Sequence, residues 1–392
     1  MLALECPTQS YDWGSADAIP GFQRRQPEGG PVAEVWVGTH PLGTAQYVDE
    51  QGEKRPLTGP AGELDFMLKV LAADRPLSIQ AHPNAGRARA GYEAEEARGI
   101  PMDSPERVFK DPYPKPEMVY ALSTFDTLVG FRPTAEILRV LMPLGHPTAK
   151  ALTKQLRDNP GFAGIVKLVE GLLSDPPPAD AVAEIVDQCR DALAEGIDIK
   201  RAYATAVEIE AYYPGDVGVV VSLLLNRLTL QPGEAAYLGT GIIHAHLKGM
   251  CLEVMVSSDN VLRAGLTSKH VDAEGLVLCL EEGMSRVARV TPQLFSTSTD
   301  VFSPTREFAL SVTQSSQADP AGAILPHRGK RLLVCTGGEV AVLNARDEML
   351  HLRRGDAAYA DDSDGELRII GTGEVAQAYV PSGAAGRLDD LL

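Results

Sequence analysis

Residues 77–84 read LSIQAHPN, and the spacing of Gln80 and His82 is the first sign of chemistry. Side chains two apart on a strand share a face, at about 6.5–7 Å between backbones, so both can converge on one ion. Taken alone, the pair has an ordinary reading too: a hydrogen-bonded strand-end histidine beside a loop-capping glutamine. The segment KPEM (115–118) puts Glu117 at the head of the apolar run MVYAL, directly after Pro116. A carboxylate entering a buried strand is costly unless it is paired or coordinated, although a surface strand-entry Glu would look the same. In GIIHAHLKG (241–249), His244 and His246 again share a face, and Glu253 follows on the next segment; His-x-His with a carboxylate is a metal-ligand pattern. Finally SSDNVLRAGLTSKH (257–270) gathers Asp259, Asn260, Arg263 and Lys269. An Arg and a Lys there suit an anion such as a phosphate, whereas the bland alternative is a solvated loop.

Other chemistries lack their signatures. GTGIIH (239–244) has no third glycine and runs into a strand, not a helix, so it is no dinucleotide fingerprint. No P-loop, G-x-S-x-G or H-E-x-x-H occurs.

Three blocks of elements must position these residues. Residues 1–133 are short apolar runs between Gly and Pro, which predicts strands. From 134 to 213 the apolar period becomes helical: Phe162, Ile165, Val166, Val169, Leu172 and Leu173, then Val182, Ile185, Val186, Cys189 and Leu193. Asp175 and PPP (176–178) separate these two helices, and Thr134 is expected to cap an earlier one. Strand patterns return from Asp216, beginning with VGVVVSLLLNRLTL. LQPGEAAY (230–237) is echoed by LRRGDAAY (352–359), which suggests one hairpin used in two related β-barrels. Only the first copy continues to histidines.

The 392 residues leave room for two or three domains, and the 44% hydrophobic, 23% charged composition is that of a globular chain. A net charge of −17 disfavours nucleic acid and anionic membrane surfaces as partners, but a local basic pocket still admits a small anion. No apolar run approaches the roughly 18–20 residues needed to cross a bilayer. MLALECPTQSYDWG has no basic region ahead of a long apolar segment, so no signal peptide is expected. Five scattered cysteines without C-x-x-C spacing read as reduced, with no disulfide framework and no cysteine-based zinc site, in a cytoplasmic protein.

YDWGS (11–15), AEVWVGTHP (33–41), LSIQAHPN (77–84), FKDPYPKPEM (109–118), GFRP (130–133), LLLNRLTLQPGEAAYL (223–238) and HAHLKGMCLEVMVSSDNVLRAGLTSKHVD (244–272) occur in that order. Together they resemble the type I mannose-6-phosphate isomerase family, cupin-fold metalloenzymes, over nearly the whole chain. The resemblance implies a mainly β fold with an α-helical insertion: two cupin or jelly-roll barrels plus a helical domain. The catalytic barrel would take 1–133 and 214–300, the insertion 134–213, and a C-terminal barrel without metal ligands 301–392. It implies one divalent ion, zinc first and manganese, iron(II) or cobalt as alternatives, on Gln80, His82, Glu117 and His244. Arg263 would be the essential arginine, with Lys115, Glu253 and Asp259 as further catalytic residues. Lys269, Ser78 and His246 would face the substrate and its phosphate. His246 departs from the family, which commonly has Tyr there, and whether it binds metal or sugar is left open. The activity implied is interconversion of mannose 6-phosphate and fructose 6-phosphate by proton transfer between C1 and C2 through an enediolate, with Glu253, Asp259 or His246 as base. The substrate would be a small sugar phosphate and the protein a monomer. A metal-dependent dioxygenase and a non-catalytic sugar-phosphate sensor on the same fold are the competing readings.

Overall fold

Phe66–Ala73 (FMLKVLAA) is buried at all eight positions, which requires neighbours on both edges and cover on both faces. In the computed structural model, which describes residues 1–281, 288–318 and 320–381, that segment lies inside an antiparallel sheet. The strand order there is Ala288–Val290, Ala235–Leu238, Glu117–Ala121, His244–Val256, Phe66–Ala73, Glu34–Val37, Thr8–Gln9. The strand His244–Val256 changes partners partway. Its first half pairs with Phe125–Phe131, and from Gly249 onward it pairs with Phe66–Ala73. Gly249 makes the change possible: its φ is +116°, and a Cβ there would lie 2.4 Å from the Thr124 carbonyl oxygen. Residues His244 to Val256 thereby belong to both parts of the sheet, and the site is built around this strand.

A second antiparallel sheet runs Leu2–Leu4, Ala357–Ala360, Arg331–Leu343, Leu367–Tyr379, Ala309–Ser315, Thr299–Phe302, Gln293–Ser296. The two sheets share one apolar core, with Leu68, Val70 and Val254 from the first packed among Leu310, Leu332 and Ala376 from the second. The protein is therefore mainly β, with helices inserted between Phe131 and Leu225.

The insertion follows its sequence period. Phe162–Ser174 buries Ile165, Leu168, Val169 and Leu172; Ala179–Ala194 buries Val182, Ile185, Val186 and Cys189. Asp175 and Pro178 bound the two helices as expected. Four details differ from the sequence reading. Thr134 is the first residue of the helix Thr134–Leu141, not its cap, and its hydroxyl accepts from the Gly161 amide at 3.1 Å. Val217–Ser222 is a short helix, not a strand, because Asp216 caps it through the Gly218 amide at 2.6 Å and takes the Leu266 amide at 2.9 Å. Ala85–Ala97 forms a helix inside the block read as strands, capped by Asn84 accepting from the Arg87 amide at 2.9 Å. The repeated motif is a corner, not a hairpin. Leu225–Leu230 pairs with Phe125–Phe131, whereas Ala235–Leu238 pairs with Glu117–Ala121 and Ala288–Val290. In the second copy Met349–Arg353 and Ala357–Ala360 pair with different parts of Arg331–Leu343. A strand of 13 residues follows in each copy, His244–Val256 and Leu367–Tyr379. Among the described residues no helix is long and apolar enough to cross a membrane.

Candidate metal centre

Strand register assembles the site. Gln80 lies opposite His244 on one side and Arg263 on the other, and directly opposed residues project from the same face. Glu117 opens the strand Glu117–Ala121 after Pro116, one strand over from His244–Val256. The result brings one donor atom each from His82, Glu117 and His244 within 4.8 Å of one another, all 0–1% exposed.

Hydrogen bonds fix the direction of each ring. His82 Nδ1 lies 2.7 Å from the Asn260 carbonyl oxygen and His244 Nδ1 lies 2.9 Å from the Ile242 carbonyl oxygen. A carbonyl only accepts, so each Nδ1 carries a proton and each ring turns its Nε2 inward. His244 Nε2 is 2.9 Å from Glu117 Oε1, and His82 Nε2 is 3.3 Å from Glu117 Oε2. Glu117 Oε1 has no hydrogen-bond partner despite complete burial. Gln80 Nε2 stands 3.4 Å from His244 Nε2, and rotating the amide by half a turn presents its oxygen instead. Bare imidazole nitrogens and an orphaned carboxylate oxygen facing one another repel unless a cation lies between them. The donor set of two imidazoles, one carboxylate and one amide oxygen fits a divalent ion of the zinc class. The backbone carbonyls behind both imidazoles are the usual outer support of such ligands.

Electrostatics agree. Burial, then the Lys115 charge, brings the His82 imidazole down to about 4, so it is neutral at pH 7. Burial pushes the Glu117 carboxyl up, but the charge of Lys115, foremost among its neighbours, outweighs that, and the carboxyl lies well below its usual range. Lys115 Nζ sits 3.2 Å from Glu117 Oε2 and 3.3 Å from His82 Nε2, supplying positive charge at the cage edge.

The cage lies beneath a cleft of about 550 Å³, whose wall includes Ser78, Gln80, Lys115, Asp259, Arg263 and Lys269. Arg263 and Lys269 face it without a carboxylate partner among the described residues, and burial lowers both below their ordinary values, Lys269 further under the Arg263 charge. Two unpaired cations in one wall make an anion site inside an acidic protein. Asp259 is held by His40, with Nε2 3.2 Å from Oδ2. Burial raises its carboxyl, but the His40 contact outweighs that and leaves it below the ordinary value. Glu253 is deeper: Lys69 lies 3.1 Å from Oε2, His246 Nε2 3.5 Å from Oε1, and its carboxyl is brought down to about 2, against burial, chiefly by Lys69. His246 touches the cleft wall but is only 1% exposed, and it is not one of the three residues of the His82 group.

Some site residues carried little weight in the sequence. Trp36, Lys69 and Glu253 occupy consecutive strands in one cross-strand row. Lys69 is 8% exposed, stands 5.5 Å over the Trp36 ring and 3.5 Å from Glu34, and stays charged because Glu34 and Glu253 outweigh its desolvation. Its signal was a single Lys in an otherwise apolar octet. His40 lay unremarked within AEVWVGTHP. Asn260, buried at 0%, binds the 109–118 segment to the cage: its side chain accepts from the Lys110 amide and donates to the Asp111 and Tyr113 carbonyls at 2.7–2.9 Å.

Fold and site together describe a β-sheet protein with a buried mixed-ligand cage suited to a divalent metal, under a cleft whose wall carries Arg263 and Lys269. Residues 1–134 match the family model for the catalytic domain of type I phosphomannose isomerase. The mannose-6-phosphate isomerase of Salmonella typhimurium is 34% identical, over 97% of this chain and 99% of that protein. The Escherichia coli enzyme of the same name is 33% identical with equal coverage. A crystal structure of a zinc-bound mannose 6-phosphate isomerase superposes with a TM-score of 0.86 at 31% identity, covering 97% of this chain and 99% of that one. One of the Salmonella enzyme with fructose 6-phosphate and zinc gives 0.85 with the same identity and coverage. The chain belongs to the type I phosphomannose isomerase family.

Proposed function

We infer that this protein is a metal-dependent aldose–ketose isomerase that interconverts mannose 6-phosphate and fructose 6-phosphate. The observation that carries the reading is the buried trio His82, Glu117 and His244, with inward Nε2 atoms and a Glu117 oxygen without a hydrogen bond, beneath a cleft whose wall carries Arg263 and Lys269. Gln80, His82, Glu117 and His244 would hold the ion, zinc foremost. When bound, it supplies Lewis-acid polarisation of the sugar carbonyl and charge stabilisation for the enediolate.

Arg263 and Lys269, with Ser78, bind the phosphate, and this remote binding energy positions C1 and C2 for reaction. Asp259 is the better base. Glu253, tied to Lys69 and brought down to about 2, resists protonation, whereas Asp259 lines the cleft with a single imidazole partner. In this scheme Asp259 removes the proton from one carbon and returns it to the other. Lys115 balances charge as the substrate's oxygen becomes anionic.

The catalytic unit comprises 1–133 and 214–300, the helical insertion 134–213 and the C-terminal unit 301–392. The two sheets follow this division broadly, except that Leu2–Leu4, Gln293–Ser296 and Thr299–Phe302 all belong to the C-terminal sheet, so the boundary at 300 falls inside a strand of it. The five free cysteines suit the cytoplasm, and a site supplied by one chain suits a monomer. A coupled assay on mannose 6-phosphate, before and after chelation and zinc add-back, tests the reading. Activity should vanish with the metal and return with it; turnover indifferent to thorough chelation would sink it.

A further inference from the structure

We propose that His40 is the positioning residue for Asp259: its neutral imidazole donates Nε2–H to Oδ2 and leaves Oδ1 as the one oxygen that moves the proton. The proposal rests on Asp259 being the base. His40 Nε2 stands 3.2 Å from Asp259 Oδ2. On the other side of the ring the Leu42 amide donates to Nδ1 at 3.3 Å. A nitrogen that accepts from an N–H carries no proton, so the single proton of the ring sits on Nε2, facing the carboxylate. A doubly protonated ring would turn an N–H against the Leu42 amide.

The surroundings leave the ring one orientation. Thr39–His40 pairs with Gly43–Thr44, and the turn between them returns the Leu42 amide to the imidazole. Trp36 meets the ring edge-on, at 4.9 Å between centroids and 76° between planes, and is itself fixed by donating from Nε1 to Glu34 Oε2 at 2.6 Å. His40 is 4% exposed. The backbone of Asp259 is anchored separately, its amide donating to Asp111 Oδ2 at 2.9 Å. His40 therefore governs the rotation of the carboxylate and not the path of the chain. The contact takes Oδ2, so Oδ1 is left to the cleft that Asp259 lines.

The reaction needs that arrangement. A C–H bond of the sugar breaks, its electron pair stays on the sugar as the enediolate, and the proton bonds to Oδ1. The Oδ1–H bond then breaks, and an electron pair of the enediolate forms the new C–H bond on the neighbouring carbon. A fixed carboxylate offers the same oxygen to both carbons, whereas a rotating one loses its alignment with each. A neutral donor achieves this without a full positive charge beside the base, which would weaken it as a proton acceptor.

A double-mutant cycle on the zinc-loaded enzyme, with mannose 6-phosphate as substrate, tests the proposal. His40→Phe keeps a ring against Trp36 and removes the N–H; kcat should fall on the order of 10²-fold with KM little changed. His40→Gln, which keeps a donor, should recover most of that loss. In the Asp259→Asn background His40→Phe should cost nothing further, because the group it positions is gone. Circular dichroism and zinc content check that each variant folds, and His40→Asn, whose amide is too short to reach Oδ2, replaces the phenylalanine variant if that one does not. Nitrogen NMR of the labelled native chain should find the His40 proton on Nε2, independently of turnover. Full kcat in His40→Phe beside an impaired Asp259→Asn, additive losses in the double variant, or a proton on Nδ1 would each overturn the role of His40 and leave the base in place. Full kcat in Asp259→Asn would instead remove the base, and this proposal with it.

Discussion

At the scale of single residues, the cage depends on a buried carboxylate, one of whose oxygens, Glu117 Oε1, makes no hydrogen bond. Glu117→Gln retains volume but gives up the charge that offsets the ion, and zinc affinity should fall by at least about 10-fold, as in weakened metal sites generally; metal analysis after dialysis reads it directly. Asp259→Asn keeps the carboxylate's shape while removing the base. The expected outcome is a fall in kcat of about 10²–10⁴, with metal content unchanged. If kcat held while KM rose, Asp259 would be a binding residue instead. Arg263→Lys keeps one positive charge and loses the planar fork, so KM for the sugar phosphate should rise more than kcat falls.

At the scale of elements, two connections set the geometry. Asn260 ties the 109–118 segment, which delivers Lys115 and Glu117, to the backbone that orients His82. Asn260→Ala removes no ligand, yet zinc affinity should drop by about 10–100-fold, the range found for outer supports of metal sites. The second connection anchors the helical insertion. Asp126 binds Arg227, which also holds Glu208 on the helix Ala202–Glu210, and Glu136 binds Arg132 and Lys200. Burial raises both carboxyls, but these bonds outweigh it and leave both below their ordinary values. The folded state thus releases protons that the unfolded chain would keep, so this stabilisation is complete above the ordinary carboxyl pKa of about 4 and disappears as pH falls through the depressed values. Urea unfolding from pH 7 to 3 should show that loss, and Asp126→Asn should be less stable at pH 7 with a shallower acid decline.

At the scale of the whole molecule, an ion that binds only the folded cage stabilises the fold by mass action, by about 2.7 kcal/mol when it is present at 100 times its dissociation constant. Chelation should lower Tm and zinc should restore it, while Glu117→Gln, with affinity about 10-fold lower, should show about half that response or less at the same zinc concentration; calorimetry separates the cases. The C-terminal sheet shares its core with the catalytic sheet through Leu310, Leu332 and Ala376. What the sequence by itself determined was chiefly periodic or nearest-neighbour. The two-residue spacing aimed Gln80 and His82 together, Pro116 placed Glu117 at a strand start, and apolar period set the helices at 162–174 and 179–194. Val217–Ser222 escaped that reading because a valine run favours strand locally, and the Asp216 bonds that make it a helix include one to Leu266, 50 residues away. The repeated LQPGEAAY motif identified two equivalent corners but not which strands they join, since pairing partners are chosen by the whole sheet. Lys69 and His40 acquired their roles only from cross-strand register and burial. A lysine is costly to bury until Glu34 and Glu253 arrive from other strands, and the His246 ring is held only when Thr127, 119 residues away, meets its Nδ1.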